Sequence, residues 1–420
     1  MDAGVKIGSK AAVYDRYINR RGKMQKNKGK RTAIVSNKVK CIIGSALSGA
    51  GVIILCVSRI SRTFSQWYST HIYPMWVNTF GRFLGAIPFS VSELLLYAAM
   101  LTAVLAFVRG AASAVKKCIT KEKAFKWSCT LYSFAGMLLF LYAVNCGVNY
   151  NRVPFSESSG ICPERYSAEE LKSVCLWLTE EVNNRRAQVA RDAAGVMRLG
   201  AVHKRESGGI GRGTKAEGQK MEAAYAKAMG EEAVLAMKRL GESYPELSGY
   251  YPNPKGLFFP WILSVQQLTG VYSPFTIEAN YNSAIVDYNI PFTACHELSH
   301  LRGFMQEEEA NFIAFLASIG SDNVYFQYSG YLMGWKYCMS ALYKADYDAW
   351  EEVRGRLAEE AEPDLDANRE FWDRYDGKIA EAANKVNDTY LKANNQAEGV
   401  ESYNQMVDFI VAYKSGTHSF

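Results

Sequence analysis

The hydrophobic positions of this chain are concentrated toward its N-terminal third. Eighteen uncharged residues run from Cys41 to Ser58, a second run from Phe83 to Val108 is broken only by Glu93, and a third, Trp127 to Asn151, holds no charge. A helix needs about 20 residues to cross a bilayer, and uncharged stretches this long are uncommon in water-soluble folds. The pattern predicts three transmembrane helices, at about 41–58, 85–108 and 127–149. A cleaved signal peptide would also pair a basic leader with an apolar stretch, but the forty-residue leader and the two further runs favour an anchor.

After Asn151 the periodicity becomes that of a mainly helical soluble domain. Ser167 and Glu170 form a capping box ahead of Leu171, Val174, Cys175, Leu178 and Val182 at helical spacing. Residues 184–218 are polar and glycine-bearing and predict an exposed insertion, followed by a helix over Gln219 to Leu240. Prolines and short β-branched runs then mark strands, with Phe275 to Tyr281 and Ala284 to Ile290 the best candidates, before helices resume beyond Glu307. The expected organisation is a basic arm over 1–40, a membrane domain over 41–150 and an α+β domain over 151–420.

Charge adds an orientation. Residues 1–40 hold twelve Lys or Arg against two Asp, so that arm carries +10 and the rest of the chain −4. This excludes a uniformly basic nucleic-acid-binding domain. The arm and the Arg109 to Lys126 loop belong in the cytoplasm by the positive-inside rule. The Arg59 to Arg82 loop has three arginines, and its Trp67, Tyr68, Tyr73, Trp76 and Phe80 predict an interfacial aromatic belt on the outer side. Three spans from a cytoplasmic N-terminus place everything after Asn151 outside. A Cys162–Cys175 disulfide is disfavoured there, because positions so close in sequence need special geometry.

One cluster carries chemistry: His296-Glu297-Leu298-Ser299-His300, with Gly303 and Glu307 following. On a helix His296 and His300 lie one turn apart on one face, where both imidazoles reach a single Zn²⁺. Glu297 beside them can take a proton from a metal-bound water and deliver it to a leaving amine. Composition alone yields an HExxH somewhere with odds of roughly half a percent. Thr293 is a suitable N-cap and Gly303 a suitable residue to end the helix. Zinc then needs a third protein ligand, which the first turn of a helix beginning near Glu307 can supply.

The spacing from Glu307 to Asn311 resembles the ExxxD or ExxxN arrangement of gluzincin metallopeptidases. That resemblance implies Glu307 as third ligand and Asn311 as the residue that holds a ligating histidine. Gln306 stands where metzincins carry their third histidine, which disfavours that family. The stretches Tyr272–Asn282, Ile290–His300, Glu309–Ala314 and Leu391–Gly399 also resemble a family of bacterial membrane proteins, the domain of unknown function 3810 family. This resemblance, which covers most of residues 145–413, implies a zincin-like fold. In zincins an edge strand ahead of the HExxH helix binds the substrate backbone, and Thr276 to Asn282, with Glu278, Asn280 and Asn282 on one side, is the candidate. A donor for the tetrahedral oxyanion is sought among Tyr328, Tyr331 and Tyr403.

The sequence thus points to a multi-pass plasma-membrane protein whose extracytoplasmic domain is a zinc metallopeptidase acting on a peptide or protein substrate, with no nucleic-acid partner. A membrane sensor that uses a zincin-like domain without general peptidase activity is the alternative. Reporter fusions test the orientation: fusions after Asn151 should behave as exported and fusions near Lys117 as cytoplasmic. Protease added outside intact cells that spares residues 184–218, yet cuts them after lysis, would invert it.

Overall fold

The computed structural model describes residues 35–115, 120–163, 165–199, 215–394, 396–399 and 405–416. The protein is mainly helical with one small sheet. The described residues form two compact units, one drawn from Met1–Ile54 and Leu101–Ala143, the other from Leu55–Met100 and Val144–Phe420.

Three helices are long and apolar enough to cross a membrane: α1 (Val35–Ile60), the Val91–Ala112 part of α3 (Val91–Val115), and Ala124–Asn151, which begins within α4 (Lys121–Tyr142). The second begins at Val91 rather than at 85, because Ser90 caps it, its hydroxyl accepting the Glu93 N–H at 3.1 Å. In the first unit α1 meets α4 through small residues. A Cβ on Gly136 would lie 2.6 Å from the Gly44 carbonyl and 2.8 Å from Ser48 Oγ, so two backbones approach where no side chain intervenes.

The second unit takes in the segment between the first two spans. There α2 (62–85) alternates α-helical turns with two wider π-helical segments, Tyr68–Ile72 and Val77–Gly81. Tyr68 and Tyr73 are buried rather than part of an outer belt. The Tyr73 hydroxyl donates to the Leu301 carbonyl and pairs with the Tyr272 hydroxyl, both at 2.9 Å. Only Trp67 and Phe80 of the five expected aromatics stand well exposed. Short helix α5 (Phe155–Ser159) follows, then α6 (Ala168–Arg185) with its capping box as expected. Cys162 and Cys175 are free thiols.

The expected exposed insertion is corrected over its described part. Residues 186–199 close on a β-bridge between Arg191 and Met197, and Val189, Val196, Met197 and Leu199 are buried. Scattered apolar side chains and the Asp364 carboxylate, which accepts the Met197 N–H at 2.7 Å and pairs with Arg191, hold this stretch against the domain. Residues 200–214 lie outside the described part, and α7 (Lys215–Ser243) follows.

The sheet has three strands, β1 (Lys255–Gly256), β2 (Gly270–Ser273) and β3 (Glu278–Tyr281), in the order β1-β3-β2, with a single helical turn, α8 (Trp261–Ser264), between the first two. β3 runs parallel to β1 and antiparallel to β2. Ala284 to Ile290 is not a strand: Ile285, Asn289 and Ile290 donate to carbonyls three residues back, turns that lead into α9 (Asn289–Leu301). Thr293 therefore lies inside that helix. Ser329 caps it instead, its Oγ accepting the Phe292 N–H at 3.1 Å while donating to the Tyr288 carbonyl. Helices α10 (Glu307–Ile319) and α11 (Val324–Ala345) pack on α9, and α12 (Tyr347–Arg354), α13 (Glu362–Asp373), α14 (Lys378–Ala393) and α15 (Met406–Ser415) complete the unit. The core between α6, α10, α11 and α15 is aromatic, with Phe312 stacked on Phe409 at 5.3 Å and Phe315 edge-on to Tyr331.

One ion pair joins the sheet to the start of α3. Glu278 of β3 accepts the Val91 N–H at 3.1 Å and the Ser92 N–H at 2.8 Å. Its Oε1 lies 2.5 Å from Lys255 Nζ, which also donates to the Leu84 carbonyl. Both ends of this pair are buried, and removing one partner of a buried pair typically costs about 3–5 kcal/mol. Lys255→Met should accordingly lower the thermal midpoint of the detergent-solubilised protein by several degrees, whereas Lys227→Met, at an exposed pair with Glu231, should leave it unchanged. Equal midpoints for the two variants would contradict this role.

Candidate metal centre

His296, Glu297 and His300 project from α9, whose thirteen residues are all buried. His296 and His300 meet edge to face with ring centroids 4.6 Å apart. The chain then turns at Gly303, whose φ of 96° lies in the left-handed region that glycine enters without cost. A Cβ there would also meet Arg152, Asn149 and Tyr73. This turn brings the Phe304 carbonyl to 2.8 Å from His300 Nδ1, so that nitrogen donates and Nε2 keeps its lone pair for the site.

From α10, Glu307 reaches the same point. One of its oxygens lies 3.2 Å from His296 Nε2 and 3.5 Å from His300 Nε2. A tetrahedral ion with ligand bonds of about 2.0–2.1 Å sets its ligand atoms about 3.3–3.4 Å apart. Both Glu307–histidine separations are close to that value, and the three side chains form a buried group able to hold a cation. Two buried polar atoms here, His296 Nδ1 and Glu297 Oε2, have no hydrogen-bond partner. Asn311 lies near the His296 ring, one turn along α10 from Glu307.

The electrostatics follow from burial. Burial draws His300 down, but the Glu307 carboxylate outweighs it and holds the imidazole up at about 9. Burial would raise Glu307, yet His300 and His296 hold it well below the usual carboxylate range. His296 is lowered by burial and by the neighbouring His300. Burial pushes Glu297 up to about 8. Its carboxyl lies against β2, where a Cβ on Gly270 would come within 2.4 Å of Oε1.

The other two glutamates of the run have separate tasks. Glu309 is buried and accepts the backbone N–H groups of Phe155 and Ser156, capping α5. Glu308 accepts from Gln396 at 2.7 Å, and burial pushes it up to about 7.

Several expected site residues are placed elsewhere. β3 is the central strand, so Glu278, Asn280 and Asn282 do not line an open edge. All three are buried, Glu278 against Lys255, Asn280 against the Val271 carbonyl and Asn282 against Ser264 and the Leu268 carbonyl. The edge beside Glu297 is β2. Tyr328 donates to Asp364 at 2.6 Å, Tyr331 packs between Trp177 and Phe315, and Tyr403 lies outside the described residues. Sequence reasoning missed Tyr337 on α11, half-buried beside Asn311 and pushed up to about 12 by burial and by Glu307. Its helical neighbours gave no signal, because only the packing of α11 on α10 brings it there.

A family model described as a protein of unknown function (DUF3810) matches residues 68–411. No curated protein and no solved structure matches the chain.

Zn²⁺ titration separates the three adjacent carboxylates. Glu307→Ala should weaken binding by orders of magnitude, and Asn311→Ala by about 10 to 100-fold. Glu309→Ala should bind normally but lose about 1–3 kcal/mol of stability, since two buried N–H groups lose their acceptor. Normal binding by Glu307→Ala would refute the ligand assignment.

Proposed function

The chain belongs to the DUF3810 family of proteins of unknown function, and we propose that it is a membrane-anchored zinc metallopeptidase of gluzincin type whose catalytic domain lies outside the cytoplasm. The observation that carries this is the convergence of His296, His300 and Glu307 at tetrahedral spacing beside an unpartnered carboxylate oxygen of Glu297. A structural site has no use for a buried general base at its margin.

His296, His300 and Glu307 would hold the zinc, which when bound polarises a carbonyl and acidifies water. The remaining work falls to the chain. The substrate pairs its extended backbone with the outer edge of β2, the zincin mode of strand addition. Gly270 at the start of that strand lets the strand backbone approach the Glu297 carboxylate more closely than any side chain would allow. Burial makes the Glu297 carboxylate, once ionised, a stronger proton acceptor, and it takes a proton from the attacking water and returns it to the leaving nitrogen. Phe304, through its carbonyl, fixes the His300 tautomer, and Asn311 steadies His296. Tyr337, the tyrosine beside Glu307 and Asn311, is the best-placed donor to the developing oxyanion.

The test is Glu297→Gln in the full chain with a peptide library as substrate. Zinc content should stay near stoichiometric while hydrolysis falls by orders of magnitude, and His296→Ala should lose both. Gly270→Ala should keep zinc yet slow turnover, because the added methyl crowds Oε1. Full activity in Glu297→Gln would end the peptidase assignment.

A further inference from the structure

Between β1 and β2 the chain reads Leu257-Phe258-Phe259-Pro260-Trp261. Phe258, Phe259 and Trp261 are 62%, 65% and 62% exposed, while Leu257 and Leu263 on either side are buried. Three large aromatics exposed within four residues form an apolar prominence that a water-facing loop does not retain without cause.

The prominence is held rigidly. Glu93, in the first turn of α3 and 3% exposed, accepts the Phe258 N–H at 2.9 Å and the Phe259 N–H at 2.8 Å. The Tyr97 hydroxyl donates to the same carboxylate at 2.8 Å. The Phe259 ring meets the Tyr97 ring edge-on at 5.6 Å, and Phe258 lies 6.2 Å from Phe89. Glu93 is the one charge in the second apolar run, and its partners are the backbone of this loop and the Tyr97 hydroxyl one turn along the same helix.

We infer that Phe258, Phe259 and Trp261 form a wedge inserted into the outer interface of the lipid bilayer. The occupant follows from continuity. The loop is bonded to the first two turns of α3, a helix able to cross a membrane, and Tyr97 lies about 9 Å along the axis from Val91. Rings fixed at that level face the headgroup and upper acyl region, where Trp and Phe partition favourably. Glu93 satisfies the loop's backbone donors, which removes the main cost of placing irregular chain at that depth. The inference rests on α3 crossing the bilayer.

The experiment uses full-length protein in phosphatidylcholine vesicles, with Cys41, Cys56, Cys118 and Cys162 replaced by serine and single nitroxides introduced through Phe258→Cys or Trp261→Cys. Met100→Cys in α3 and Tyr347→Cys on α12 serve as references, both native side chains being exposed. Collision with oxygen and with a water-soluble nickel chelate is measured at each site. Labels at 258 and 261 should show an oxygen-to-nickel ratio several-fold above that at 347 and close to that at 100. If 258 and 261 match 347, or are shielded from both reagents as under a protein partner, the wedge is refuted while a lipid-like value at 100 leaves the span intact. A water-like value at 100 would remove the span and the wedge together. Either labelled position suffices if the other variant does not accumulate.

Discussion

The second unit is organised around the need to bury four ionisable side chains side by side. His296, Glu297, His300 and Glu307 are each less than a tenth exposed, and charges so placed must be compensated. Glu307 keeps its charge because two imidazoles face it, and its carboxylate in turn raises the proton affinity of His300. The surrounding polar contacts serve this arrangement. The left-handed turn at Gly303 delivers the Phe304 carbonyl to His300, and Tyr73 from α2 ties down the Leu301 carbonyl at the end of the same helix. A segment that reads as a connector between spans is thus structural support for the cluster.

The join between sheet and α3 is reciprocal. Glu278 leaves the sheet to accept two N–H groups at the helix start, and Glu93 leaves the helix to accept two N–H groups of the loop after β1. Each carboxylate pairs with backbone donors that the other element cannot satisfy from its own ladder or turn. From β1 across β3 to β2 is two strand spacings, about 10 Å, and β2 touches Glu297. The start of α3 and the candidate general base are therefore fixed in one frame.

The sequence made legible what periodicity and spacing encode. The three long apolar helices, the Ser167–Glu170 cap, the turn at Gly303 and the helical spacing of His296 and His300 were all local signals. That Glu307 of the three glutamates faces the histidines was legible through the spacing from Glu307 to Asn311. What depended on distant partners was not legible. Tyr68 and Tyr73 looked interfacial because nothing local says that their hydroxyls donate to the distant Val144 and Leu301 carbonyls. Alternating polar residues made β3 look like an edge, although the side chains on that face are buried against Lys255, Ser264 and the neighbouring backbone. The run 186–199 looked solvated because its anchor, Asp364, lies well over a hundred residues away. Tyr337 was invisible for the same reason.

The three glutamates at the start of α10 perform three unrelated tasks, and about 100° of helix rotation per residue is all that separates them. Glu307 faces the histidines, Glu308 faces Gln396 and Glu309 holds the end of α5. The loop from Gly303 to Gln306 therefore acts as a length gauge. A single-residue insertion or deletion there would keep every chemical group in the chain, yet shift all three carboxylates by one place and exchange the group facing the histidines, the clamp and the cap at once. This short loop should tolerate changes of side chain far better than changes of length, the reverse of what surface loops ordinarily permit.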